Sequence, residues 1–213
     1  MLSRIPPVVK NLILLNVFFY VGTYFVFRNL DLVKYLSLFY FESPFFHPYQ
    51  FVTYMFMHGG FSHILFNMLA LWMFGSEIEM YWGPKKFLSF YILCGLGAAV
   101  LHSIITYFQI HIQGMPEELF YSSPMLGASG AIYGILLAFG FMFPNRQIIM
   151  LFFPVPIKAK YMVIIWGLIE LTSGISANAF AAGDNVAHFA HLGGMLTGLI
   201  IILIWKAQGR FYN

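Results

Sequence analysis

One serine among glycines, an asparagine and a few histidines are the residues of this chain whose types and spacing could do chemistry. The serine is Ser129, in MLGASGAIYG. HILFN places His63 and Asn67 four apart, and NVAHFAHLGGMLTG carries His188 and His191 ahead of Gly194 and Gly198. A serine hydroxyl becomes a nucleophile when an imidazole within about 3 Å takes its proton, and a neutral histidine can return that proton to a leaving amine. The chemistry expected of such a Ser-His dyad is acyl transfer. Its oxyanion would be met by backbone N–H groups around Ser129 and Gly130, by the Asn67 amide and by the His63 imidazole. No acid stands in a convincing orienting position, since Asp184 falls just outside the last apolar segment and Glu170 near the outer end of the one before. The plain reading of the same residues is packing. Gly130 with Gly134, and Gly194 with Gly198, lie one helical turn apart and let helices approach closely, and Ser129 is small enough to belong to that face.

These residues sit in a chain that water would not suit. Of 213 residues, 60% are hydrophobic, 20% aromatic and only 9% charged, and the mean hydropathy is +0.78. So few charges cannot cover a soluble fold of this size, which points to a polytopic membrane protein. The net charge of +3 is too thinly spread to suggest nucleic acid. Cys94, the single cysteine, has no internal disulfide partner.

The elements that must position the polar residues are six apolar segments, at about 11–27, 61–81, 87–107, 129–143, 159–175 and 186–205. The expected fold is an all-α membrane protein, a bundle of six transmembrane helices in one domain over 1–213. With the N-terminus inside, Arg4, Lys10, Lys85, Lys86, Arg146, Lys158, Lys160, Lys206 and Arg210 face the cytoplasm, and only Arg28 and Lys34 lie outside. The fourth segment is short. At about 1.5 Å per residue it covers roughly 20 Å of a core some 30 Å thick, so it is expected to start inside the membrane, beneath a connection that dips inward. Ser129 then opens that helix at the depth where the second and sixth segments present their polar groups.

With these residues the chain resembles the rhomboid family of intramembrane serine proteases, in its compact six-helix prokaryotic form. GASG, from Gly127 to Gly130, is similar to the family's GxSG motif and implies Ser129 as nucleophile. HILFN resembles HxxxN and implies oxyanion-side roles for His63 and Asn67. AHLGGMLTG resembles AHxxGxxxG, and its spacing to Gly194 and Gly198 implies His191, not His188, as the base. The resemblance further implies that Tyr133 packs on the catalytic histidine, that His58 helps fix the first external loop, that His188 lines the mouth of the site, and that Glu79 makes a structural hydrogen bond near the cytoplasmic end of its helix. Tyr49 and Gln50 stand where many members carry Trp-Arg.

The function so implied is a serine endopeptidase that cleaves single-span or multi-span membrane proteins in or near their transmembrane segments. Its partners would be those substrates and membrane lipids, and its place a bacterial inner membrane with both termini cytoplasmic. Substrate access is expected beside the fifth helix, capped by the loop around 177–184. No cofactor and no metal are expected, because His188 and His191 lack a credible third ligand and His58 and His63 are five apart rather than the four of HExxH. Two other classes stand beside this reading. A transporter or channel would need a polar path that FNMLALWMF and GILLAFGFMF do not offer. A catalytically inactive rhomboid-like binder of membrane proteins sits uneasily with the retention of both Ser129 and His191.

Overall fold

The first helix, α1 (Pro7–Val21), starts on a proline, whose missing N–H costs nothing in a first turn. The next two free amides, of Val8 and Val9, donate to the buried Glu79 carboxylate at 2.9 and 2.7 Å. A carboxylate at a helix N-terminus satisfies orphan donors and complements the helix dipole. α1 runs on through a π turn, Gly22–Val26. The following loop carries the short helices α2 (Leu32–Leu36) and α3 (Gln50–Thr53). It is tied together by Gln50, fully buried, which accepts from the Phe39 and His47 amides and donates to the Tyr35 and Phe45 carbonyls.

A rod follows, made of α4 (Phe61–Ala70), a π turn at Leu71–Gly75 and α5 (Ser76–Trp82). Gly83, at φ +77°, ends it and Pro84 opens α6 (Pro84–Tyr107), which continues through a π turn to Ile112. After the one-turn α7 (Glu118–Tyr121) comes α8 (Ser129–Met142). Strands β1 (Gln147–Met150) and β2 (Phe153–Lys158) pair antiparallel, a small hairpin that no feature of the sequence reading anticipates. Two further helices, α9 (Ala159–Gly174) and α10 (Asn185–Ala207), complete the fold. The computed structural model describes residues 5–150, 153–176 and 185–211, so the expected cap at 177–184 lies outside the described residues.

This is a multi-pass membrane protein, an all-α bundle of apolar helices. Three stretches, Pro7–Val26, Pro84–Ile112 and His188–Ala207, are long and apolar enough to cross a bilayer, and Ser129–Met142 is a shorter apolar helix. The described residues thus carry three of the six expected crossings on length and composition alone. The outward faces are apolar: Phe18, Phe25, Ile164, Leu168 and Leu203 are all more than half exposed.

At the centre stands α8, buried along almost its whole length and walled by α6, α10 and α9. Small residues make this possible. A Cβ at Gly194 would collide with the Gly130 carbonyl, and one at Gly134 would lie 2.5 Å from Cys94 Sγ. At Gly198 the nearest α8 atom is the Gly134 Cα, 3.3 Å from an added Cβ. The glycine pairs read in the sequence as a close-packing face therefore bring two backbones into contact. Gly194→Ala should lower the thermal midpoint in micelles, by the equivalent of about 1–3 kcal/mol of overpacking. Gly22→Ala, whose Cβ meets only Phe27 at 3.7 Å, should change stability by less than about 0.5 kcal/mol.

Candidate functional site

Ser129 occupies the first position of α8, after Gly127 at φ +119°. That backbone conformation excludes side chains, and a Cβ at Gly127 would also lie 2.7 Å from His63 Nε2. The Gly127 amide donates to the Tyr54 carbonyl at 2.9 Å, and Leu38 and Met125 bridge at 2.8 and 2.9 Å, pinning the approach to α8 onto the first loop. His63 accepts at Nδ1 from the Gly59 amide, 3.3 Å away, which leaves the proton of the neutral ring on Nε2, the atom facing Gly127. Asn67 donates to the His63 carbonyl at 2.9 Å, so one of its amide protons is already engaged within its own helix.

On the other wall, α10 sets His191 against Ser129, with Nε2 2.8 Å from Oγ. The Tyr133 ring stacks on the His191 imidazole, centroids 4.3 Å apart and planes within 10°. The Tyr133 hydroxyl reaches across to Glu170 Oε1 on α9. The other Glu170 oxygen takes both histidines: Oε2 lies 2.7 Å from His188 Nδ1 and 3.0 Å from His191 Nδ1.

Glu170 therefore corrects the sequence reading. It is a buried acid in direct contact with both histidines and with Tyr133, where the sequence places none. Glu170, His188 and His191 bring their ligand atoms within 4.8 Å of one another, and this cluster also supplies the third ligand that His188 and His191 were expected to lack. The cluster overturns the reading of the chain as a serine endopeptidase and hydrolase that works through a Ser-His dyad. Its donor set is that of a metal or acid pocket. A carboxylate buried between two imidazoles favours a cation among them.

Two cavities meet at this point. One, of about 330 Å³, lies beneath the connection between α6 and α8 and is lined by His102, Phe120, Met125 and Leu126 among others. The other is a larger apolar groove of about 840 Å³ between the α4–α5 rod and α9, lined by Phe66, Met73, Leu136, Met162 and Trp166 among others. His63, Ser129 and His191 wall both. Of the other residues singled out in the sequence, Asn67 and Tyr133 line the groove, while Gly130, Gly194 and Gly198 pack helices. Glu79 caps α1 far along the chain.

His58 is buried at the foot of the first loop, its ring 5.0 Å from that of His63, and its carbonyl accepts from Tyr24 Oη. Burial, and then the neighbouring His63, push its pKa down from 6.5 to about 4, against a smaller opposing effect of the Phe56 backbone. A histidine with a lowered folded-state pKa stabilises the fold fully above the unfolded value, and that stability is lost as pH falls toward the folded one. The thermal midpoint should accordingly drop between pH 6.5 and 4, and His58→Phe should flatten that drop in a pH series of melting curves.

Comparison with known proteins adds a family to this geometry. The Rhomboid domain profile matches residues 46–208. The mitochondrial Rhomboid protein 1 of Saccharomyces cerevisiae is 32% identical over 148 residues, 68% of this chain and 38% of its own. Rhomboid protease AarA of Providencia stuartii is 31% identical over 156 residues, 71% of this chain and 53% of its own. Rhomboid protease GluP of Bacillus subtilis is 28% identical over 151 residues, 70% of this chain and 24% of its own. The chain thus matches about half or less of the length of these relatives.

Proposed function

This chain belongs to the rhomboid family, and from that premise we propose that it binds transmembrane segments of client membrane proteins in its lateral groove without cleaving them. The observation that carries the reading is the groove itself. Its walls are mostly apolar along the rod and α9, and it ends at the polar cluster of Ser129, His63 and His191. A client helix offers an apolar surface to such walls, and any carbonyl freed near its end finds donors at the polar end. His63 has an Nε2 proton to give there, and the buried carboxylate of Glu170 holds His191 in place.

The arrangement in the membrane belongs to the same proposal. Six crossings, with α8 starting below the surface and both termini on the cytoplasmic side, place the groove's mouth toward lipid and the smaller cavity toward the external side. The setting is a bacterial inner membrane, and the clients are single-span or multi-span proteins.

Photocrosslinking from a benzoylphenylalanine at position 166 to a single-span reporter in proteoliposomes tests this. The reporter should be captured intact, and Ala70→Trp, which fills the groove, should cut the yield at least about fivefold. Absence of capture would sink the reading. So would recovery of the reporter as two fragments with the wild-type protein but not with Ser129→Ala, because that outcome is hydrolysis.

A further inference from the structure

At the end of the bundle opposite Ser129, a second cluster is built from cations and aromatic rings. We infer that Lys86, Lys206 and Arg210 seat the phosphate headgroup of an anionic phospholipid whose acyl chains lie against α6 and α10. Lys206 stands 15 residues beyond His191 on α10, about 22 Å along the helix axis, and Lys86 lies in the first turn of α6. The apolar stretches Pro84–Ile112 and His188–Ala207 begin and end at this level, which is where a bilayer presents its headgroups.

The segment after α10 makes the seat. Gly209, at φ +66°, turns the backbone where the helix ends, and the Arg210 amide donates back to the Trp205 carbonyl at 2.8 Å. That return buries Phe211, 1% exposed, against Trp82 with ring centroids 5.9 Å apart. The Phe211 carbonyl accepts from Trp82 Nε1 at 2.9 Å and from Lys86 Nζ at 3.2 Å, and Lys86 also donates to the Arg210 carbonyl. Lys206 Nζ lies 5.2 Å from the centre of the Phe211 ring, and Lys86 Nζ 4.6 Å from that of Trp205. One buried phenylalanine thus gathers cations from two helices and from the turn after α10.

Charge decides the ligand. Like charges gathered this closely repel one another, and an anion among them relieves the repulsion. The two acids of α5 are already committed at this end, Glu77 to Arg146 at 2.8 Å and Glu79 to the Val8 and Val9 amides. Among the described residues no carboxylate pairs with Lys206 or Arg210, both of which are exposed. One guanidinium nitrogen of Arg210 donates to Gln208 Oε1 at 3.2 Å, which leaves most of its fork for an oxyanion. A lipid suits the place better than a free anion. Exposed Leu88 on α6, with Leu203 and Ile204 on α10, continues the patch as apolar surface for acyl chains. Each basic residue near a membrane surface favours an anionic headgroup by about fivefold, so two or three suffice for a marked preference.

The test uses the full chain in maltoside micelles, delipidated and then given phosphatidylglycerol or phosphatidylcholine, with native mass spectrometry as the readout. One phosphatidylglycerol per chain should be retained at least ~10-fold more tightly than phosphatidylcholine, and high salt should narrow the difference. Lys206→Gln combined with Arg210→Gln should bring the two lipids within ~2-fold of each other while eluting as the wild type does. Lys158→Gln combined with Lys160→Gln removes the same charge at the start of α9, on the same end of the bundle, and should leave the preference intact. Phosphatidylglycerol should raise the thermal midpoint, and inorganic phosphate without lipid should not. Equal retention of the two lipids by the wild type overturns the seat, even if the variants fail to fold. An equal loss in the Lys158 and Lys160 variant overturns it as a diffuse surface potential, and a phosphate effect matching that of the lipid overturns it as a free-anion site.

Discussion

The contact of two glycines, Gly130 on α8 and Gly194 on α10, is the constraint on which the rest of the structure depends. Neither position has room for a methyl group beyond it, and the helix backbones meet where most helix pairs are held apart by side chains. That approach is what leaves Ser129 and His191 within 2.8 Å. It also turns α8 into an inner column, packed by α6, α9, α10 and the α4–α5 rod and open only along the groove. The packing residues and the polar residues are one device, since the first set the distance at which the second meet.

Upon that column α9 adds the carboxylate. Glu170 touches α8 through Tyr133 and α10 through His188 and His191, so a single buried side chain ties three helices at the polar end of the groove. A buried acid is expensive unless several partners share it. Here three do, and truncating any of them leaves charge or donors uncovered in a place that water reaches poorly. The same feature decides between readings of the site. A serine beside a lone histidine invites a proton-transfer interpretation, whereas a histidine whose second nitrogen faces a carboxylate and a second histidine belongs to a cluster with its own preferences.

Much of this was legible in the residues, and the exceptions have a common cause. The small-xxx-small spacing of Gly130, Gly134, Gly194 and Gly198 announces close approach because helical periodicity maps spacing onto a face. GASG and HILFN lead to neighbouring walls of one groove, as Ser129, His63 and Asn67 show. Glu170 was visible only as an acid near the outer end of an apolar segment. Its partners lie 18, 21 and 37 positions away in sequence, and no local pattern encodes such a meeting. One signal pointed to it: an ionisable group at membrane depth requires a named partner. The sequence reads Gln50 only as a departure from the Trp-Arg pair, for the same reason, since its four backbone partners lie in a loop without periodicity. The β1–β2 hairpin also escaped, being short and interrupted by prolines.

The two cavities share three walls, His63, Ser129 and His191. One cavity is a greasy slot along the rod and the other a smaller chamber under the α6–α8 connection, so these side chains stand where two spaces meet inside a single polypeptide. Three side chains thus face two spaces at once, and a change in any of them alters both.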